Sequence, residues 1–323
     1  TKMLTELTVW YNLTLTRWNH RRGGLFRMNA RKPISVGGLD EGAVPLRVGL
    51  VGHGIQRSRT PAMHVAEGRR QNLDYRYDLF DPEQPGQTDN LSTIIAQAEA
   101  QGFAGLNITF PYKQAATALV DDLSDAARKI GAVNTVVFRE GRRFGHNTDF
   151  WGFAEGFRQG LPDAPRETVL LIGAGGAGVA VGYALVDLGV QHLLIAARRP
   201  EAVLALVEGI NAATGTRCAH AAPDLEAAAK SADGIVNATP MGMAKLPGLP
   251  LDPNFLEPRH WVAEIVYFPL ETEFLRVARA TGCQTLDGSG MAINQAVRAF
   301  HLFTGLTADA AHMRATFEAM GPT

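Results

Sequence analysis

The apolar run Val169-Leu170-Leu171-Ile172 leads straight into Gly173-Ala174-Gly175-Gly176-Ala177-Gly178, and no other stretch narrows the possible folds of this chain so far. A short, fully apolar run bounded by glycine reads as a buried strand. A G-x-G-x-x-G turn that then opens into a helix gives each glycine a task. Gly173 permits the tight turn, Gly175 lets the backbone approach a pyrophosphate, and Gly178 lets the helix pack on the strand. The helix runs from about Ala177 to Leu188, Gly189 stops it, and His192-Leu193-Leu194-Ile195-Ala196 is the next strand. That context turns a weak pattern into a dinucleotide-binding turn, with Ala174, Gly176 and Ala177 completing its lining.

The rest of the chain fits around this unit. Its 323 residues, 46% apolar and 20% charged, can bury real cores and suggest two domains. From Leu46 strands and helices alternate: Leu46–Val51, a helix from about Thr60 to Gln71, Asp74–Phe80, a helix from about Leu91 to Gln101, and Ala104–Ile108, a βαβαβ unit. The second series starts at Thr168 and continues through a helix over about Glu201–Ala213, strands at Gly234–Asn237 and Trp261–Val266, and a helix at about Glu271–Ala280. Two final helices, about Gly290–Phe303 and Ala308–Ala319, have no strand between them and are expected to return to the first unit. The fold class is therefore α/β with two domains: an N-terminal α/β substrate domain over 45–148 plus 287–323, a Rossmann-type nicotinamide-binding domain over 149–286, and a cleft between them. Residues 1–44 carry Arg17, Arg21, Arg22, Arg27, Arg31 and Lys32 against almost no acids, and read as a basic, poorly ordered tail.

Charge and cysteine usage exclude several functions. Basic and acidic residues nearly cancel, for a formal net charge of -1, so no broad footprint for nucleic acid exists. No apolar stretch approaches the roughly 20 residues that span a bilayer. Cys218 and Cys283 match neither a disulfide framework nor a metal-ligand spacing, the histidines are scattered, and no metal site is expected. A cytoplasmic protein is expected, and a monomer and a homodimer both suit it.

The chemistry points to Lys113. It closes Asn107-Ile108-Thr109-Phe110-Pro111-Tyr112-Lys113 and has a candidate acid partner, Asp149, in Gly145-His146-Asn147-Thr148-Asp149. A lysine beside a reacting oxygen can shuttle its proton while hydride moves at the attached carbon, and an aspartate can orient the ammonium. Which nicotinamide cofactor serves the reaction is read at the end of the second strand of the glycine-turn unit. An acid there would hold a free ribose hydroxyl, whereas arginine suits a 2′-phosphate. The chain has Ala196-Ala197-Arg198-Arg199-Pro200, which favours NADP; Glu201 is near enough to keep NAD as the alternative.

Seven ordered boxes make the chain similar to the shikimate dehydrogenase family, including its quinate/shikimate branch, from about Leu46 to the C-terminus. They are Ser58-Arg59-Thr60-Pro61 after a Gly52-containing loop, the N-I-T-F-P-Y-K run, Gly131-Ala132-Val133-Asn134-Thr135, the H-N-T-D box, the glycine turn, Asn237-Ala238-Thr239-Pro240-Met241-Gly242, and Asp287-Gly288 leading to Gln295-Ala296. The resemblance implies an NAD(P)-dependent oxidoreductase of the chorismate pathway, with Lys113 and Asp149 as catalytic pair and a polyhydroxylated ring carboxylate as substrate: shikimate, 3-dehydroshikimate or quinate. It further implies that Ser58 and Thr60 hold the carboxylate, that Thr109, Asn134, Asp149 and Gln295 surround the ring hydroxyls, that Tyr267 stands near the substrate, and that Asn237 and Thr239 lie along the cofactor path. Ser58 and Thr60 could instead cap the following helix, Asn134 could bond a turn backbone, and Gln295 could be an exposed helix residue.

Two departures set the specificity question. Biosynthetic members usually carry serine at the place of Thr60, and threonine resembles the branch that also accepts quinate. The NAD-using members of that branch carry acids where this chain has Ala197 and Arg198. Shikimate with NADP is the leading expectation, with quinate with NAD, and aminoshikimate, as alternatives. A non-catalytic ligand-sensing relative would lack the catalytic residues, which are both present, and a folate-linked dehydrogenase would lack the Ser58/Thr60 pair and the H-N-T-D box.

Overall fold

The computed structural model describes residues 45–321, so the expected basic tail over 1–44 lies outside the described residues. Strands β1 (Leu46–Val51), β2 (Tyr75–Phe80), β3 (Gly105–Ile108), β4 (Asp122–Leu123), β5 (Thr135–Arg139) and β6 (Arg142–His146) form one sheet in the order β2-β1-β3-β5-β6-β4. β1 pairs in parallel with both β2 and β3, and helices α1 (Thr60–Arg70) and α2 (Leu91–Ala100) are the crossovers, which makes the βαβαβ unit read from the sequence. The short helix α3 (Asp125–Ile130) precedes β5. β5 and β6 pair antiparallel as a hairpin whose turn, Glu140-Gly141, has positive φ at both residues, the combination that matches the twist of two-residue hairpins.

The second sheet has the order β12-β11-β10-β7-β8-β9 and every pairing is parallel. Its strands are β7 (Thr168–Ile172), β8 (His192–Ala196), β9 (Ala219–Ala221), β10 (Gly234–Asn237), β11 (Trp261–Glu264) and β12 (Gln284–Leu286). The direction of winding reverses between β7 and β10, and the glycine turn follows β7 at that switch point, where open parallel sheets bind ligands. The remaining helices are α4 (Thr148–Gly160), α5 (Gly176–Asp187), α6 (Pro200–Thr214), α7 (Leu225–Ser231), α8 (Glu273–Thr281), α9 (Ser289–Thr304) and α10 (Ala310–Ala319). Parallel strands buried on both faces explain the near-continuous apolar runs of β7 and β11.

Each sheet has its own core, and two helices carry the connection. Ile293, Phe300 and Phe303 of α9 and Phe317 of α10 pack with Val48, Met63 and Tyr75, so the C-terminal helices cover the first sheet. Phe153 and Phe157 of α4 pack instead with Val169, Leu171 and Trp261 of the second. α4 and α9 lie against one another with glycine at the crossing. A Cβ on Gly152 would stand 2.7 Å from the Met291 carbonyl oxygen, and one on Gly156 would stand 3.0 Å from the Gly290 carbonyl carbon.

Candidate active site

Lys113 and Asp149 meet. Lys113 lies beyond the C-terminal end of β3, in a loop tied down by a hydrogen bond from the Val133 amide to the Lys113 carbonyl at 2.7 Å. Asp149 stands in the first turn of α4, whose cap is Asn147 accepting from the Phe150 amide. A carboxylate is favoured at that positive end of a helix. Lys113 Nζ donates to Asp149 Oδ2 at 2.6 Å, and the side chains are 23% and 10% exposed, so the pair is shielded yet reachable. An ammonium has three donors. Asp149 takes one, and no other partner of Nζ stands among the described residues.

Behind this pair runs a buried polar chain that sequence reasoning did not find. The Tyr77 hydroxyl donates to Asn107 Oδ1, Asn107 Nδ2 donates to Thr135 Oγ1, and Thr135 Oγ1 donates to Asn134 Oδ1. Asn134 Oδ1 also accepts the Thr148 amide at 2.7 Å, and Thr148 Oγ1 lies 3.4 Å from Gln295 Oε1. Asn134 thus bonds backbone at the start of α4, one residue from Asp149, and the network sets that aspartate's position. Gln295 is half-buried on α9, its amide donating to the Ala292 carbonyl, and is not an exposed helix residue. Thr109 follows β3 with its amide on the Val51 carbonyl, and its methyl occupies the space a Cβ on Gly52 would need.

Ser58 and Thr60 flank Arg59, which is the residue at the helix-cap position of α1 and makes no side-chain cap bond. The Ser58 hydroxyl accepts only a long 3.4 Å contact from the Thr60 amide, so neither hydroxyl is committed to capping. Tyr267 follows β11 and packs against the Phe317 ring that Arg59 covers. It is 39% exposed, while protein packed around its ring pushes its phenol pKa up, Lys113 draws it down and Asp149 pushes it up, which places the three within electrostatic reach. The Arg57 guanidinium stacks over the Phe268 ring at 5.0 Å, joining the loop after β1 to the loop after β11.

The glycine turn fits a dinucleotide. Gly173 has φ +117°, where only glycine is at ease, and a Cβ on Gly178 would stand 2.2 Å from the Gly173 carbonyl oxygen. Gly175 and Gly176 are exposed and open in the direction a Cβ would take, and α5 begins without a side-chain cap, so its first amides are left for ligand oxygens. Ala174 is buried beneath the turn and Ala177 is half-buried at the helix start. Arg198 and Arg199 are exposed just beyond β8, and neither forms an ion pair with Glu201 or any other described acid. Asn237 is fully buried, so it shapes its turn from behind: its Oδ1 accepts from the Thr239 amide and hydroxyl, and its Nδ2 reaches the Met241 carbonyl.

Glu264 was missed by sequence reasoning. It is 2% exposed and accepts from Asn237 Nδ2, the Val266 amide and Thr272 Oγ1, so one carboxylate joins the Asn237 turn, the Tyr267 loop and the cap of α8. Burial pushes its pKa up to about 7 against the lowering effect of those donors. A lone acid inside Trp261-Val262-Ala263-Glu264-Ile265-Val266 was the available signal. Among the described residues no group of three or more His, Cys, Asp or Glu could hold a metal ion, and no helix is long and apolar enough to cross a membrane.

An all-parallel dinucleotide-type sheet, a glycine cradle at its switch point and a shielded Lys-Asp pair define a two-domain NAD(P)-dependent oxidoreductase. Comparison with known proteins narrows the class. Residues 50–136 match the family model for the shikimate dehydrogenase substrate binding domain, and residues 288–316 match that for the shikimate 5'-dehydrogenase C-terminal domain. The chain is 51% identical over 274 residues to a quinate/shikimate dehydrogenase (NAD(+)) of Corynebacterium efficiens, covering 84% of this chain and 96% of the relative. It is 50% identical over 279 residues to a shikimate dehydrogenase (NADP(+)) of Streptomyces avermitilis, covering 85% and 96%. Quinate dehydrogenase from Corynebacterium glutamicum in complex with NAD superposes with a TM-score of 0.82 at 48% identity, over 85% of this chain and 99% of that one. The protein belongs to the shikimate dehydrogenase family.

Proposed function

We propose that the protein interconverts 3-dehydroshikimate and shikimate with NADP(H). The observation that carries this reading is the shielded Lys113–Asp149 pair at 2.6 Å. A nicotinamide cofactor held on the glycine turn over 173–178 would supply or accept the hydride. Lys113 holds the proton that joins or leaves the reacting ring oxygen, and Asp149 orients the ammonium and binds a neighbouring hydroxyl. Ser58 and Thr60 receive the carboxylate, and Thr109, Asn134, Gln295 and Tyr267 hold the ring, Asn134 acting in part through Thr148. Gly173 to Gly178 receive the pyrophosphate, Thr239 and the turn that Asn237 shapes line the cofactor path, and Arg198 and Arg199 pair with a 2′-phosphate. The domains divide at 45–148 plus 287–323 and 149–286, and the protein works in the cytoplasm as a monomer or homodimer.

A second reading has its own support: Thr60 in the carboxylate loop, together with the relative named for quinate and NAD(+), favours quinate oxidation. The purified protein is assayed at 340 nm with shikimate and quinate crossed against NADP and NAD. Turnover of shikimate with NADP and its loss of preference for NADP in Arg198→Ala are expected. A preference for quinate with NAD overturns the leading reading in favour of the second.

A further inference from the structure

Arg59 is a buried charged group that takes no part in the proton transfer. It is 7% exposed and lies between the two hydroxyl residues of its loop. An arginine stays protonated in any protein environment, so a full positive charge is fixed there. No described acid pairs with it. Nη1 donates to the Phe317 carbonyl at 3.1 Å, Nη2 donates to the Gly321 carbonyl at 2.5 Å, and the guanidinium lies over the Phe317 ring at 4.5 Å. These partners belong to the end of α10, and they anchor that helix to α1.

Anchoring alone does not account for the charge. Carbonyls at a helix end present about half an elementary charge, so the guanidinium is satisfied in hydrogen bonds while much of its positive charge remains. Lys113 and Asp149 cancel one another. Arg59 and Tyr267 share the Phe317 ring, at 4.5 Å and 6.2 Å from its centre, and the guanidinium draws the Tyr267 phenol pKa down, so its charge is felt at a residue beside the site. Arg57 and Arg59 bring two positive charges to the loop that carries Ser58 and Thr60, and the buried Asp81, which accepts from the Gly54 and Ile55 amides and Gln56 Nε2 of that loop, offsets one of them.

We propose that Arg59 is a specificity-determining residue, selecting anionic over uncharged ring substrates by its buried charge behind Ser58 and Thr60, while the end of α10 holds it in place. The inference rests on the reading of the substrate as a ring carboxylate. It predicts that the C-terminal turn around Phe317 is part of substrate selection.

The test compares shikimate with its uncharged amide. Wild-type protein prefers the carboxylate; Arg59→Met raises the KM for shikimate on the order of tenfold and leaves that for the amide nearly unchanged, compressing the ratio. Arg59→Lys, which keeps the charge and loses the fork, preserves the ratio while melting lower. An unchanged ratio in Arg59→Met, with both KM values moving together, reduces Arg59 to an anchor and overturns the proposal. Should Arg59→Met not fold, Arg59→Gln, which keeps an amide donor for the carbonyls and drops the charge, decides: a compressed ratio supports the proposal and an unchanged one overturns it. If the wild type turns over neither shikimate nor quinate, the functional reading fails, and calorimetric binding of shikimate against its amide still decides the role of Arg59 separately.

Discussion

Lys113 donates to a single carboxylate oxygen of Asp149, so the two side chains fail as a unit. Lys113→Ala is expected to lower kcat by about 10²- to 10⁴-fold, the usual worth of positioned proton transfer, with a smaller change in KM and little change in melting temperature. Asp149→Asn keeps the shape and removes the orienting charge, and the double variant is expected to be no slower than the worse single one. Full turnover in Lys113→Ala, or multiplicative losses in the double variant, would remove the pair from the mechanism. Lys113 and Asp149 were legible because each closes a short run of distinctive residues. Thr148 and Asn107 were not, since their importance lies in bonds to Asn134 and Tyr77, which are distant along the chain and adjacent only after folding. Glu264 is a partial exception: a lone acid in an apolar strand is a visible signal, but the Asn237, Val266 and Thr272 groups that donate to it gather only after folding.

Elements were legible where one period dominated. The long crossover helices and the apolar strands of both sheets lie within one or two residues of the expected bounds. The β5–β6 hairpin was missed because its second strand, Arg142-Arg143-Phe144-Gly145-His146, alternates poorly, and β4 because two residues carry no period. Helix α4 was missed for a more instructive reason. Gly152, Gly156 and Gly160 lower intrinsic helix propensity, each by about 1 kcal/mol relative to alanine, yet they form one face four residues apart. Gly152 and Gly156 let α9 approach, and Gly160 leaves room for Leu286. The tertiary contact outweighs the local preference. Gly152→Val is therefore expected to do damage that its distance from Lys113 does not suggest. The new side chain would press on the Met291 carbonyl and the Gln295 amide, both backbone atoms that cannot rotate aside. Overpacking of this kind costs about 1–3 kcal/mol, and moving α4 shifts Asp149 while moving α9 shifts Gln295. Thermal melts should show the stability loss, and kcat/KM should fall beyond the loss of folded protein. Wild-type kinetics in a folded Gly152→Val protein would mean that the α4–α9 spacing does not set the site.

Across the whole molecule, buried imidazoles make acid the weak side of the stability profile. Burial lowers the pKa of His64 to about 3, where its Nδ1 meets the Tyr75 hydroxyl and its Nε2 has no partner among the described residues. Burial first, then Arg298 and Arg139, lowers His146 to about 4, and burial lowers His260 and His301 as well. Below the ordinary imidazole value the unfolded chain takes up protons that the folded protein refuses, so stability falls as pH drops from about 6.5 toward those lowered values. Glu264 works in the opposite sense. Its raised pKa means that the folded protein takes a proton between the ordinary carboxyl value and about 7 that the unfolded chain does not, and its contribution is lost as pH rises through 7. The imidazoles outnumber it, so the net slope favours unfolding in acid. His64→Phe isolates one of them. It removes the titration inside the ring cluster of Tyr75, Tyr77, Phe300 and Phe303, at the cost of the Tyr75 hydroxyl's partner. The variant should be less stable than wild type at pH 8, and should close that gap by about 1.4 kcal/mol for each pH unit below 6.5. Urea unfolding at pH 8 and pH 5 measures both quantities. A gap that stays constant between the two would mean that His64 is protonated alike in the folded and unfolded chain, and that the acid limb belongs to other groups.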